Sequence, residues 1–144
     1  GSHGDCETVA LAPGSAQEMF DLTVRAFNIA EELRIPVYLL ADAAVGHMRE
    51  VIHIPPEEEL ERVERQLPEA GADAFAIRGF LGEEVAPMPV FGRGYQAHVT
   101  GSCHDERGMR NVVDAEALDH FVRCLAGKVA SRRDELVQVE AEGV

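Results

Sequence analysis

The feature that most constrains this chain is a short segment whose element boundaries are all marked in the sequence. Thr8-Val9-Ala10-Leu11-Ala12 is a brief apolar run closed by Pro13-Gly14, which reads as a strand followed by a turn. Ser15 is placed to cap a helix, and Glu18 three residues on completes a capping box. That helix is expected to run to about Arg34, because Pro36 pushes Ile35 out of helical geometry. Val37-Tyr38-Leu39-Leu40-Ala41 follows as a continuous apolar run, the mark of a strand buried on both faces of a parallel sheet. The unit is βαβ. Its two strands are expected to be parallel neighbours or near neighbours in one sheet, with the helix packed across it by a right-handed crossover. Such a unit cannot bury both faces of its own sheet, so further strands must come from elsewhere in the chain or from a partner.

Charge and cysteine usage narrow the function classes. The 144 residues carry 26 acids against 13 Lys and Arg, a net charge of −13. Nucleic acid and anionic membrane surfaces are excluded as partners, since both call for a basic face. No run approaches the length of a membrane-spanning helix, and no signal-peptide pattern opens the chain. Cys6, Cys103 and Cys124 are far apart, and none forms a C-x-x-C pair. Unpaired thiols of this kind fit a reducing cytoplasm. They also exclude an iron–sulfur cluster held by this chain alone, which wants about four thiolates.

Three regions separate along the chain: 1–54, 55–110 and 111–144. The first holds the βαβ unit. In the second, Pro55-Pro56 and Glu57-Glu58-Glu59 read as a helix start, with prolines at the entry and acids where the dipole favours them. Leu60, Val63 and Leu67 would give that helix a narrow stripe, so it is expected to be mostly exposed. From about 70 to 108 there is little periodicity and many glycines; only Tyr95-Gln96-Ala97-His98-Val99 alternates like a strand. This stretch is expected to be an extended arm crossing a partner or another domain. In the third region Asp114 can cap a helix with apolar positions Leu118, Phe121, Val122, Leu125 and Val129. Residues 136–139 read as a short strand.

Chemical candidates are few. His47 and Arg49 follow the C-terminal end of the second strand, where open parallel sheets bind ligands. The structural alternative is that His47 caps the strand end and Arg49 pairs with Glu50 or another local acid. Cys103-His104-Asp105-Glu106 resembles a ligand cluster, yet consecutive residues do not all face one ion, and no metal site is assigned. The plainer reading is a polar turn, with Asp105 or Glu106 bonded to nearby amides. His53 and His120 read as ordinary, and Cys6 has no base nearby in sequence. The chain lacks a Gly-Asp-Gly followed by paired asparagines, a G-x-G-x-x-G and a P-loop.

Several short strings carry a family resemblance. They are Ser-Ala-Gln-Glu-Met-Phe-Asp-Leu at the helix start, Ala-Phe-Asn-Ile-Ala-Glu near its end and Ile-Pro-Val before the strand. Gly46-His47-Met48-Arg49-Glu50 and the block from His98 to Gly108 continue it. Together they resemble the α subunit of 2-oxoacid:ferredoxin oxidoreductases, most of all the 2-oxoglutarate synthase type. The family subunit has several hundred residues, and this chain looks like its middle third. The resemblance implies an α/β fold: a βαβ unit of a mostly parallel, thiamine-diphosphate-binding, transketolase-like sheet, with a long irregular arm and a C-terminal helix. On that reading 1–54 ends the pyrimidine-type domain, 55–110 is helix and linker arm, and 111–144 leads into the next domain.

The implied function is a part in the oxidative decarboxylation of a 2-oxoacid to its acyl-CoA, with ferredoxin as electron acceptor. Thiamine diphosphate with Mg²⁺ would be held in the assembled enzyme, its diphosphate by the β subunit. Iron–sulfur clusters would lie on another domain or subunit, and coenzyme A would be co-substrate. The isolated chain is expected to be inactive and to work in a homo- or hetero-oligomer. The alternative from another class is a non-catalytic acidic interaction module derived from such a subunit. The family's catalytic residues lie upstream and do not map here. Gly4, Asp5, His47 and Arg49 are the substrate-proximal candidates. Thr100, Gly101, His104, Glu106 and Arg107 are candidates for a turn at an interdomain contact.

Overall fold

The computed structural model describes residues 7–72, 85–98, 101–105 and 107–139. Strand β1 (Val9–Leu11) leads through Pro13-Gly14 into helix α1 (Ala16–Leu33), and β2 (Val37–Leu39) returns beside β1. The two strands are parallel, with Val9, Ala10 and Leu11 opposite Val37, Tyr38 and Leu39. The Val9 N–H donates to the Pro36 carbonyl at 3.2 Å, and the Leu40 N–H to that of Leu11 at 2.8 Å. The expected βαβ unit is therefore present.

Its helix boundaries follow local chemistry. The Glu18 N–H donates to Ser15 Oγ at 3.1 Å, as a cap requires. The reciprocal half of the box is displaced by one residue: Glu18 Oε2 accepts from the Gly14 N–H at 2.7 Å, not from Ser15. At the other end Arg34 turns left-handed, with φ 53° and ψ 50°, and its N–H donates to the Ala30 carbonyl. This ends the helix just before the residue that Pro36 restricts.

The core is small. Val9, Leu11, Ile29, Leu33 and Ile35 are buried, with Leu22, Val37, Leu39, Val129 and Leu136 packed against them. α3 (Ala115–Ala130) is capped by Asp114 Oδ1, which accepts from the Glu116 and Ala117 amides at 3.0 and 3.2 Å. After it comes α4 (Arg133–Leu136). Val129 and Leu136 thus bring the C-terminal helices onto the βαβ unit.

Four expectations are corrected. Residues 37–41 are not a strand buried on both faces: β2 stops at Leu39, and Tyr38 and Leu40 are 50% and 59% exposed. One face lies on α1, and no described element covers the other. The helix expected over 57–67 is a single 3₁₀ turn, Glu57–Glu59, followed by extended chain. That chain spends its backbone groups on α1. Residues 95–98 form no strand, and Val99 lies outside the described residues. Residues 136–139 are not a strand: Leu136 closes α4, and Val137 and Val139 are largely exposed. None of the helices among the described residues is long and apolar enough to cross a membrane.

Candidate functional site

The C-terminal ends of β1 and β2 share one edge of the sheet. β1 runs there into the N-terminus of α1, and β2 into a loop with a short helix, α2 (Ala43–His47), capped by Asp42 through the Ala44 N–H at 2.7 Å. His47 closes α2, so it does not cap the strand end. Arg49 is exposed and is not paired with Glu50, whose Oε2 instead accepts from the Ala16 N–H at 2.8 Å. His47 and Arg49 share this loop, and neither side chain forms a hydrogen bond or ion pair among the described residues. Gly4 and Asp5 lie outside the described residues.

Beyond Glu50 the chain is strapped along α1. The Gln17 side-chain amide exchanges two hydrogen bonds with the His53 backbone, at 2.6 and 3.1 Å. Asn28 does the same one level up, donating to the Glu61 carbonyl at 2.8 Å and accepting from the Val63 N–H at 3.0 Å. These pairs imitate the exchange between neighbouring strands. Arg65 then clasps Glu31 with two bonds of 2.6 and 2.8 Å, and Arg34 reaches the same carboxylate at 3.3 Å. The Arg65 hydrogen bonds hold the Glu31 carboxyl below its ordinary pKa.

The strap residues were not singled out in the sequence, though they leave a trace. Gln17 and Asn28 are eleven residues apart, about 20° from eclipsed on a helix. Polar side chains on that line look like a solvated face until their partners are known.

The second candidate group is a tight polar turn. Asp105 Oδ1 accepts from the Arg107 and Met109 amides at 2.9 and 3.0 Å. Cys103 and Asn111 close its base, and Gly108 adopts φ 73° at its tip. The plainer reading of this stretch therefore describes it. The His104 ring meets Phe121 of α3 edge-on at 5.1 Å, docking the turn on the helix. Gly101 and Arg107 are exposed; Thr100 and Glu106 lie outside the described residues. Three or more His, Cys, Asp or Glu side chains placed to hold a metal ion are not found among the described residues.

An open groove of about 1000 Å³ runs along the edge of β1 that no described strand pairs. Alternate residues of a strand turn their backbone groups to opposite sides. Val9 and Leu11 face β2, so Thr8, Ala10 and Ala12 face this groove.

The family of pyruvate flavodoxin/ferredoxin oxidoreductase, thiamine-diphosphate-binding domains matches residues 3–123. The chain belongs to this family. Among curated relatives of this oxidoreductase family, 2-oxoglutarate synthase subunit KorA of Methanothermobacter marburgensis is 46% identical over 140 residues. That match covers 97% of this chain and 37% of the relative. KorA of Methanocaldococcus jannaschii is 43% identical over 145 residues, covering 100% of this chain and 38% of the relative. Ketoisovalerate oxidoreductase subunit VorB of M. marburgensis is 49% identical over 55 residues, 38% of this chain and 16% of the relative. The chain thus spans well under half the length of these relatives. No solved structure matches it.

Membership in this oxidoreductase family implies thiamine diphosphate, and the described residues do not fit its diphosphate. In an α/β unit an anion is received at the helix N-terminus. Here the Gly14 and Ala16 amides are already taken by the Glu18 and Glu50 carboxylates. A diphosphate would have to displace two negative groups.

Proposed function

We propose that this chain is part of the α subunit of a 2-oxoglutarate:ferredoxin oxidoreductase, which converts the 2-oxoacid oxidatively to its acyl-CoA. The observation that carries the reading is the extent of the likeness. Identity to the two KorA subunits runs through the whole or nearly the whole chain, whereas the VorB likeness covers 38% of it. The same extent speaks against the non-catalytic interaction module, since those relatives carry the name of an enzyme subunit.

The β subunit supplies the diphosphate and Mg²⁺ site in this reading, which accords with the carboxylate-filled end of α1. Iron–sulfur clusters and the ferredoxin contact lie on other domains or subunits, and coenzyme A enters as co-substrate. The free thiols of Cys103 and Cys124 fit a cytoplasmic location. The free edge of β1 and the exposed Tyr38, Leu40 and Val51 fit a sheet completed by other parts of the assembly. Gly4, Asp5, His47 and Arg49 belong near the substrate, and the 100–107 turn at an interdomain contact. The division at 54/55 and 110/111 applies to the assembled subunit.

The test is coenzyme-A-dependent reduction of ferredoxin by the complex with 2-oxoglutarate, pyruvate and a branched 2-oxoacid. Preference for 2-oxoglutarate is expected. Turnover of the branched acid alone would reject the reading. Calorimetric titration of the isolated chain with thiamine diphosphate and Mg²⁺ should show no micromolar binding.

A further inference from the structure

The loop between β2 and the strap is fixed at both ends and free in the middle. Asp42 fixes its entry by capping α2. Its exit is fixed twice: by Glu50 on the Ala16 N–H and by the Gln17 amide on the His53 backbone. Both exit bonds engage the first turn of α1, where the helix dipole favours a carboxylate. Arg49 lies one residue before the pin. Its guanidinium is exposed and makes no hydrogen bond or ion pair among the described residues. This occurs in a chain with twice as many acids as Lys and Arg, 26 to 13. Glu50, the acid next to it, is committed to α1. Among the described residues the geometry thus leaves this cation without a paired acid, on an anchored loop, at the C-terminal edge of the parallel sheet.

We propose that Glu50 and Gln17 are positioning residues that hold Arg49 to receive the distal carboxylate of a dicarboxylic 2-oxoacid; this rests on the function proposed above. A guanidinium offers paired N–H donors that match a planar carboxylate. 2-Oxoglutarate carries a second carboxylate that monocarboxylic 2-oxoacids lack, so Arg49 sets specificity by recognising it. Glu50 acts through Arg49 in two ways. It fixes the loop, and by bonding to α1 it keeps its own charge off the guanidinium.

The test is steady-state turnover of the assembled complex with 2-oxoglutarate and with 2-oxobutyrate, which has no distal carboxylate. Arg49→Ala and Glu50→Ala should each raise KM for 2-oxoglutarate by at least about tenfold, the scale of a lost charge-assisted bond. Neither should change kcat, or either constant for 2-oxobutyrate, by more than about twofold. Glu50→Gln keeps an oxygen that accepts from Ala16 and should stay within about threefold of the parent. The double variant should be no worse than Arg49→Ala, because Glu50 works through it. Equal losses on both substrates, multiplying effects in the double variant, or loss of complex assembly in Arg49→Ala would each overturn the proposal. A parent complex that turns over no 2-oxoacid would instead reject the functional reading. Amide exchange then judges the pin by itself. Glu50→Ala should speed exchange over 43–49 and leave Ala115–Ala130 unchanged, and an unaltered loop would overturn the pinning.

Discussion

Asn28 gives the sharpest test of how the strap is held. It is half-buried on α1 and makes two bonds to the strap, donating to Glu61 and accepting from Val63. Asn28→Ala removes both. Each such bond contributes about 0.5–1.5 kcal/mol net, and the better helix propensity of alanine returns about 0.5. The expected loss is therefore about 0.5–2.5 kcal/mol. Asn28→Asp separates geometry from size. It still accepts from Val63, but it turns an ionised oxygen toward the Glu61 carbonyl, close to Glu31 and Glu32 on the same helix. At pH 7 it should destabilise at least as much as alanine does. Urea unfolding of the three proteins gives the midpoints, and amide exchange at Val63 reports the strap directly. An Asn28→Asp variant within about 0.5 kcal/mol of the parent, the range of an ordinary surface change, would show that the Glu61 bond does not hold the strap.

Leu33 is 5% exposed in a five-residue core; Leu33→Ala should cost about 2–5 kcal/mol, and a urea midpoint unmoved by it would mean that this cluster is not the core. Glu31 has a depressed pKa in the folded state because of Arg65, so its contribution is complete above the ordinary glutamate pKa and fades as pH falls through the depressed value. Glu31→Gln should therefore flatten the acid side of a stability–pH curve, and an unchanged slope would refute the pairing. Burial, and then the charge of Arg34, hold the pKa of the Lys128 ammonium down. Two nitrogens of the Arg34 guanidinium are themselves buried without a partner among the described residues. Lys128→Met should thus raise the thermal midpoint at neutral pH, and a lowered midpoint would show that the ammonium is compensated.

The legible parts of this fold are those whose signals and partners are close in sequence. Ser15, Glu18 and Pro36 act within a few residues, and the βαβ unit was readable from them alone. The segment after Glu59 was not. Leu60, Val63 and Leu67 keep a helical spacing, but the competing partner is the Asn28 amide, about 35 residues away. A tertiary bond overrode a weak propensity. The run at 37–41 is apolar throughout, a pattern that reports the cover expected for a strand; here one face lies on α1 and no described element covers the other. At the candidate site, the sheet-edge position of His47 and Arg49 was visible, whereas the attachment of Glu50 to Ala16 was not. Adjacent Arg and Glu invite a local pairing, and nothing in the sequence shows that a helix N-terminus competes for the acid.

Both the strap and the C-terminal segment are fastened to α1, but across very different lengths of chain. The strap closes loops of 33 to 36 residues, through Ala16, Gln17 and Asn28. The C-terminal segment closes loops of 100 to 113 residues, through Arg25 to Gln138 and to the Glu135 carbonyl, and Arg132 to Glu32. Closing the longer loops costs about 1 kcal/mol more in chain entropy, for contacts that are mostly exposed. The expected order of folding is therefore outward from the βαβ unit, with the strap laid down next and α4 docked last. Unfolding runs the other way. The first partial opening is expected to free α4 and lift Leu136 from the core cluster while β1 and β2 are still paired.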